Sequence, residues 1–205
     1  MTGKASPVVD RISGTVLPLP GHDLDTDRIV PGRFLKAITF DGLSDHVFAD
    51  DREQTAAAGR MHPFSNPVYR GATILVVSRN FGCGSAREHA PRALMRWGIR
   101  AVVGESSSEI FQANALALGL PCFAADPADI SRVMALAETA PSTVFDVSMR
   151  DLTLTGGGAT VRLNLPANAR AAFLAGSWDL TGLLLDGFEE VEAVAANLPY
   201  VNGFS

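Results

Sequence analysis

Cysteine is scarce in this chain, which has only Cys83 and Cys122 among its 205 residues. Two thiols exclude a dense disulfide framework and fall short of the four ligands of a structural zinc site. They are also too few to hold an iron–sulfur cluster unaided. We therefore predict no metal site formed by this chain alone, and a reducing, cytoplasmic location.

Long apolar runs and blocks of positive charge are missing as well. No run approaches the roughly 20 residues of a membrane-spanning helix, and residues 1–7 lack the apolar core of a secretory signal. The net charge of −5 argues against a nucleic-acid partner. Hydrophobic residues make up 47 % and charged residues 19 % of the chain, which is typical of a soluble globular domain. We predict neither a membrane protein nor a nucleic-acid-binding one.

The middle of the chain alternates between apolar strand patterns and helical patterns. Predicted strands and helices alternate along this part of the chain. That order predicts an α/β fold with a mostly parallel sheet and right-handed crossovers. A serine with a glutamate three residues later, Ser106 to Glu109, resembles a capping box and predicts where the second helix begins. The predicted strands are 12–19, 72–78, 99–103 and 120–124, and the predicted helices are about 87–97, 106–118 and 127–139.

Beyond residue 140 the pattern changes to alternation with period two. Three such runs, 144–149, 151–155 and 159–163, predict a small antiparallel meander. A helical tail of about 166–198 follows. No stretch has the composition of a linker, so we predict a single domain over 1–205.

Two segments before residue 71 are irregular. Residues 22–31 carry three acids within five positions and predict a loop that leads into a short strand or turn. Its carboxylates either bond their own backbone, or Asp25 or Asp27 orients a partner group near an active site. Residues 39–70 predict a long excursion with a short helix near 53–58, and a loop of that length is typical of a binding or lid element.

The segment from Gly82 to Ser85 joins a buried strand to a helix, and its two glycines allow another molecule to approach the backbone closely. Ser85 has two interpretations. It has the spacing of a helix N-cap, with Glu88 three residues on. However, Pro91 would then be the sixth helical residue, deeper than proline tolerates. In the alternative, the hydroxyl faces a pocket beside Arg87 and free backbone N–H groups, which bind carboxylates and favour an alkoxide.

Other chemistries fit this loop less well. The third glycine of a dinucleotide fingerprint is missing, the loop is not a Walker A motif, and Arg87 stands where a nucleophile elbow needs glycine. Cys83 as a nucleophile would need a base, and His89 is near it in sequence only. A small buried residue is the alternative interpretation of Cys83.

The run from Asn80 to Pro91, Asn-Phe-Gly-Cys-Gly-Ser-Ala-Arg-Glu-His-Ala-Pro, resembles the signature of the small subunits of bacterial 3-isopropylmalate dehydratase. These subunits are similar to the swivel domain of aconitase. The resemblance implies a three-layer β/β/α domain with a central, mostly parallel sheet, flanking helices and a small meander. Further matches to the family pattern are Asp25–Lys36, Ile110–Asn114 with Gly119–Pro121, and Asp179–Leu185 with Phe188 and Glu189.

The resemblance implies a heterodimer in which a large subunit carries a [4Fe-4S] cluster and this chain carries no cofactor. The reaction would interconvert 2-isopropylmalate and 3-isopropylmalate by dehydration and rehydration in leucine biosynthesis. The family's motif gives Ser85 the role of catalytic base. It makes Arg87 its activating neighbour and the ligand of a carboxylate on the small dicarboxylate substrate.

Two departures bear on the substrate. The family usually has a second serine where this chain has Ala86, which removes one hydroxyl from the site. The segment Phe34–Lys36 offers apolar surface and one lysine, which suits an isopropyl group better than a third carboxylate. Alternatives are a hydratase subunit for a methylmalate or dimethylmalate, or a non-catalytic anion-binding module. The predicted substrate-binding residues are Asp27, Phe34, Leu35, Lys36, Gly84 and Ala86.

Overall fold

A single seven-stranded sheet is the centre of the computed structural model, which describes residues 7–36, 42–85, 87–179, 182 and 187–201. The order across the sheet is β4-β3-β2-β1-β5-β6-β7. Strands β1 to β4 pair in parallel, whereas β5, β6 and β7 extend the sheet in antiparallel pairs from the other side of β1. The predicted α/β class is confirmed. The strands are β1 Arg11–Leu19, β2 Ile74–Val77, β3 Ala101–Gly104, β4 Cys122–Ala124, β5 Val144–Ser148, β6 Thr153–Gly156 and β7 Ala159–Arg162.

Helices cover both faces of the parallel strands. Alternate residues of β2 enter two different cores: Leu75 and Val77 pack in one, and Ile74 and Val76 in the other. Because both faces are buried, this strand reads as an unbroken apolar run rather than an alternating one. The helices are α1 Thr26–Ile29, α2 Ala49–Ala57, α3 His89–Trp97, α4 Glu109–Ala117, α5 Pro127–Thr139, α6 Ala167–Ala175 and α7 Phe188–Ala195.

The two cores divide the helices between the faces of the sheet. The first core holds α3, α4 and the segment between β1 and β2, with Phe48 and Phe111 among its largest fully buried side chains. The second core holds α5, α6 and the inner face of the meander, where Phe145 and Phe173 are fully buried.

Residues 42–70 lie within the predicted excursion and hold α2 and three short 3-10 turns, Leu43–His46, Pro63–Ser65 and Pro67–Tyr69. Another 3-10 turn, Gly32–Lys36, precedes them. Phe48 and Phe64 pack their rings 5.1 Å apart in the first core, so this segment contributes to the core as well as to the surface.

One local prediction was wrong: Ser108 caps α4, whereas the Ser106 hydroxyl accepts a bond from the Asn80 N–H. Of the two outcomes predicted for the acidic segment, a strand or a turn, the structure has the helical turn α1, which the Asp25 side chain caps by accepting a hydrogen bond from the Arg28 N–H. Strand β1 covers the predicted range, and Pro18 is tolerated in it because beyond Thr15 the strand has a partner on one side only.

Candidate active site

The glycine loop, defined as residues 80–85, leaves the carboxyl end of β2 and pairs with the segment that leaves the carboxyl end of β1. The Gly82 N–H donates to the Leu24 carbonyl at 2.7 Å, and the Thr26 N–H donates to the Cys83 carbonyl at 2.9 Å. Ligand sites of open α/β sheets lie at this edge, beyond the carboxyl ends of the parallel strands.

On its other side the loop is bonded to the segment that follows β3. The Asn80 N–H donates to the Ser106 hydroxyl at 2.9 Å, and the Ser108 hydroxyl donates to the Gly82 carbonyl at 2.6 Å. The Ser108 N–H donates to the Phe81 carbonyl at 2.9 Å. The loop is therefore held between two neighbouring segments over most of its length.

Both glycines of the loop are required by the backbone and by packing. Gly82 has φ of +72°, and a Cβ there would lie 2.4 Å from Cγ of Phe111. Gly84 has φ of +89°, and its Cβ would lie 3.3 Å from that of Asp25. Side chains at these positions would be strained, and at Gly82 α4 would have to move.

Ser85 is exposed and lies four residues before α3, which begins at His89. The N-cap interpretation of Ser85 is therefore wrong, and Pro91 falls in the first turn of α3, where proline is tolerated. The Thr26 hydroxyl donates to the Ser85 carbonyl at 2.9 Å. Within the described ranges, no group hydrogen-bonds the Ser85 hydroxyl, which is free to meet a ligand.

The Arg87 guanidinium forms an ion pair with the Asp27 carboxylate of α1. The Arg87 side chain is 24 % exposed, so part of it remains open to a ligand. A Cβ added at Gly32 would lie 3.6 Å from both Nη1 of Arg87 and Oδ1 of Asp27, which places the start of the 32–36 turn beside the pair.

Phe34 lies in that turn and is held by ring contacts. It stacks on His46 with ring centroids 3.7 Å apart and planes 6° from parallel, and Arg33 Cζ lies 4.5 Å from the same ring centroid. Phe34 and Leu35 are half-buried and pack against the first core. Lys36 ends the turn.

The structure therefore brings several of the predicted site residues together. Arg87 meets Asp27, Gly84 lies against Asp25, and the turn with Phe34 to Lys36 begins beside the ion pair. Ala86 lies outside the described residues. Sequence reasoning missed Thr26, although it stands inside the Asp-Thr-Asp run, and it missed Gly32 and His46, which carry no sequence signal of their own.

The thiols are unsuited to nucleophilic chemistry. Burial, and then the carboxylates of Asp25 and Asp23, raise the pKa of Cys83, and burial raises the pKa of Cys122 to about 12. A nucleophilic cysteine needs a lowered pKa. The described part of the chain contains no group of three or more His, Cys, Asp or Glu side chains that could hold a metal ion. An iron–sulfur cluster does not fit these residues.

A separate cleft of about 730 Å³ lies between the end of β1, α1 and α2. Its lining includes Arg28, Asp51 and His62, but neither Ser85 nor Arg87. His62 is buried, its Nδ1 accepts a hydrogen bond from the Phe64 N–H at 3.2 Å, and burial lowers its pKa to about 4.

Among the described helices, none has the length and apolarity to span a membrane.

Comparison with known proteins gives three matches at the level of sequence. A family model described as the aconitase C-terminal domain matches residues 6–123. The 3-isopropylmalate dehydratase small subunit of Synechocystis sp. is 45 % identical over 194 residues, 95 % of this chain and 96 % of that one. The subunit of the same name from a strain of Thermus thermophilus is 42 % identical over 189 residues, 92 % and 94 % of the two chains.

The fold also matches a solved structure. A crystal structure of 3-isopropylmalate dehydratase from Methanocaldococcus jannaschii superposes with a TM-score of 0.66 at 24 % identity, over 89 % of this chain and 99 % of that one. At this identity the match supports the fold alone.

Proposed function

This chain belongs to the aconitase C-terminal domain family, among the small subunits of 3-isopropylmalate dehydratase, and we propose that Ser85 and Arg87 complete the active site of that two-subunit hydro-lyase. The reaction is the interconversion of 2-isopropylmalate and 3-isopropylmalate in leucine biosynthesis. The observation that carries the site proposal is an exposed serine hydroxyl to which no described residue is bonded, on a loop fixed from both sides and two residues before an anchored arginine.

In this proposal Ser85 removes the proton from the carbon next to the one that loses hydroxide, and returns it on rehydration. A serine hydroxyl is far too weak an acid for this role in water. It becomes competent when a partner surface excludes water and when Arg87 and backbone dipoles favour the alkoxide. The partly exposed guanidinium of Arg87 also suits a substrate carboxylate, as a planar fork of donors.

The partner in this proposal is the large subunit that the name of the relatives implies, and that subunit holds the [4Fe-4S] cluster. The cluster would supply a Lewis acid for the departing hydroxide. This chain's own share is limited to proton transfer, carboxylate binding and closure of the site. We expect the complex to work in the cytoplasm.

We assign the remaining substrate contacts to residues that lie near Arg87 in the structure or next to Ser85 in the sequence. Asp27 orients the guanidinium, and Gly84, which immediately precedes the serine, lets the loop lie close to Asp25. The half-buried rim of Phe34 and Leu35, followed by Lys36, is suited to an isopropyl group with a carboxylate nearby. Ala86 offers a methyl group where the family usually has a hydroxyl. The relatives' names favour isopropylmalate over a methylmalate, a dimethylmalate or a non-catalytic role.

The test is turnover by the chain assembled with its cognate large subunit and a reconstituted cluster. Each of 2-isopropylmalate, a methylmalate and a dimethylmalate is offered as substrate. Ser85→Ala is expected to lower kcat by about 10²–10⁴-fold, the usual contribution of a general base. Ser131→Ala, an exposed serine on α5, is the matched control and should leave kcat unchanged.

Three results would contradict the proposal. Undiminished turnover by Ser85→Ala would show that Ser85 is not the catalytic base. Binding of isopropylmalate without turnover by a cluster-loaded complex would favour an anion-binding module. Faster turnover of a methylmalate than of isopropylmalate would replace the substrate but keep the chemistry.

A further inference from the structure

Thr26 is one of three buried polar side chains among the described residues, with 2 % of its surface exposed. Its N–H donates to the Cys83 carbonyl and its hydroxyl to the Ser85 carbonyl, both at 2.9 Å. One residue therefore binds two carbonyls of the glycine loop that lie two positions apart. The bond from the hydroxyl joins residues 59 positions apart in the chain, so it is a tertiary constraint and not a local turn.

We propose that the Thr26 hydroxyl is a positioning group for Ser85, and this inference rests on the proposed function of that serine. The Ser85 side chain is exposed and accepts no bond of its own from the described residues, so nothing holds its hydroxyl directly. The direction of its Cα–Cβ bond is set by the backbone. The Thr26 hydroxyl bonds the backbone carbonyl of Ser85 itself.

The loop needs such a constraint because glycine allows it many conformations. Gly84 immediately precedes Ser85 and has φ of +89°, in a region that glycine enters and leaves at little cost. Thr26 is β-branched and buried, so its χ1 angle is stiff and its hydroxyl is a fixed donor. It can therefore hold the Ser85 peptide in one orientation.

The same helical turn serves the arginine. Thr26 bonds the Ser85 backbone, and the next residue, Asp27, pairs with Arg87. Helix α1 thus fixes the proposed base and the proposed carboxylate ligand relative to each other. Loss of the Thr26 hydroxyl alone leaves the Asp27–Arg87 pair in place. We therefore expect it to affect proton transfer and not substrate binding.

The experiment compares Thr26→Val with Thr26→Ser in the assembled, cluster-loaded complex with isopropylmalate as substrate. Valine keeps the shape and removes the donor, whereas serine keeps the donor. We expect Thr26→Val to lower kcat by about 10- to 100-fold, the effect of a misplaced reacting group, with KM close to wild type. Thr26→Ser should recover most of kcat. Rates are given per assembled complex.

Thr73→Val is the matched control. The Thr73 hydroxyl donates to the Ser13 carbonyl at 3.1 Å, so the same kind of bond is lost between β1 and the start of β2. It should leave kcat unchanged, whatever thermal stability it costs. If Thr26→Val does not fold, Thr26→Cys replaces it, because a thiol is a weak donor of similar size to the serine hydroxyl.

Two results would overturn the positioning role while the proposed function stands. In the first, Thr26→Val has the same kcat as the control Thr73→Val. In the second, its kcat falls but Thr26→Ser recovers none of it, which would mean that shape and not the hydroxyl matters. Failure of the proposed function is distinguishable, since the wild-type complex would then be inactive or Ser85→Ala would remain active.

Discussion

Gly82→Ala is expected to be among the most damaging small substitutions in this chain. Gly82 has φ of +72°, and a left-handed conformation costs a residue with a Cβ roughly 1–2 kcal/mol. The new methyl group would also lie 2.4 Å from Cγ of Phe111, a fully buried side chain of α4. Overpacking of this kind costs about 1–3 kcal/mol. The free energy of unfolding should therefore fall by about 2–4 kcal/mol, allowing for the lower entropy of the unfolded alanine chain.

Gly59→Ala isolates the backbone part of this cost. Gly59 has φ of +69°, nearly that of Gly82, but an added Cβ would meet nothing within 4 Å. We expect a loss of about 1 kcal/mol there. In thermal unfolding of a chain of this size, Gly82→Ala should lower Tm by about 4–16 °C and Gly59→Ala by about 2–4 °C. Equal losses for the two variants would show that the loop is not packed against Phe111 as described.

Three further perturbations have distinct outcomes. Burial lowers the pKa of His62 to about 4 in the folded chain, from 6.5 in the unfolded chain. Between these two pH values the unfolded chain binds a proton that the folded chain does not. The free energy of unfolding should therefore fall by at most about 3 kcal/mol as pH drops from 6.5 to 4. Urea unfolding at each pH should show this loss, and His62→Asn, which does not titrate, should flatten it; an unchanged slope would mean that other groups cause it. Asp27→Asn frees the Arg87 guanidinium and should raise KM about tenfold, with less than about 1 kcal/mol of lost stability because the Asp27 side chain is exposed. Asp129→Asn, which breaks a similar pair on α5, should leave KM unchanged, and an equal KM in both variants would refute the orienting role. Cys83→Ala should leave the turnover number of the complex unchanged, and loss of activity would support a nucleophilic role for the thiol.

Periodic segments were predictable from sequence because their signals are local. The helix at 127–139 was predicted at its observed bounds, since Pro127 marks its first residue and the Asp126 side chain caps it. The strands of the meander were predicted to within about two residues of their observed bounds. Apolar and polar residues alternate there because only one face of each strand is buried. The position of Pro91 argued against a helix cap at Ser85 but left both interpretations open until the structure showed α3 beginning at His89.

The site itself depends on contacts that spacing cannot reveal. Asp27 and Arg87 are 60 positions apart, and nothing in their neighbourhoods encodes the pairing. The cap predicted at Ser106 failed because of a distant contact: the Ser106 hydroxyl accepts a bond from the Asn80 N–H, and Ser108 caps α4 instead. Only the resemblance to a known family joined the Asp-Thr-Asp segment to the glycine loop before the structure did.

The central place of β1 has a consequence for how the chain is made. Residues 11–15 leave the ribosome before the other described strands, yet their antiparallel partner lies about 130 residues later. At typical elongation rates of 5–20 residues per second, that partner emerges on the order of ten seconds afterwards. During this interval one edge of β1 stays open to pairing with other nascent chains. Slower translation would prolong the hazard, and a chaperone that shields the first strand would relieve it.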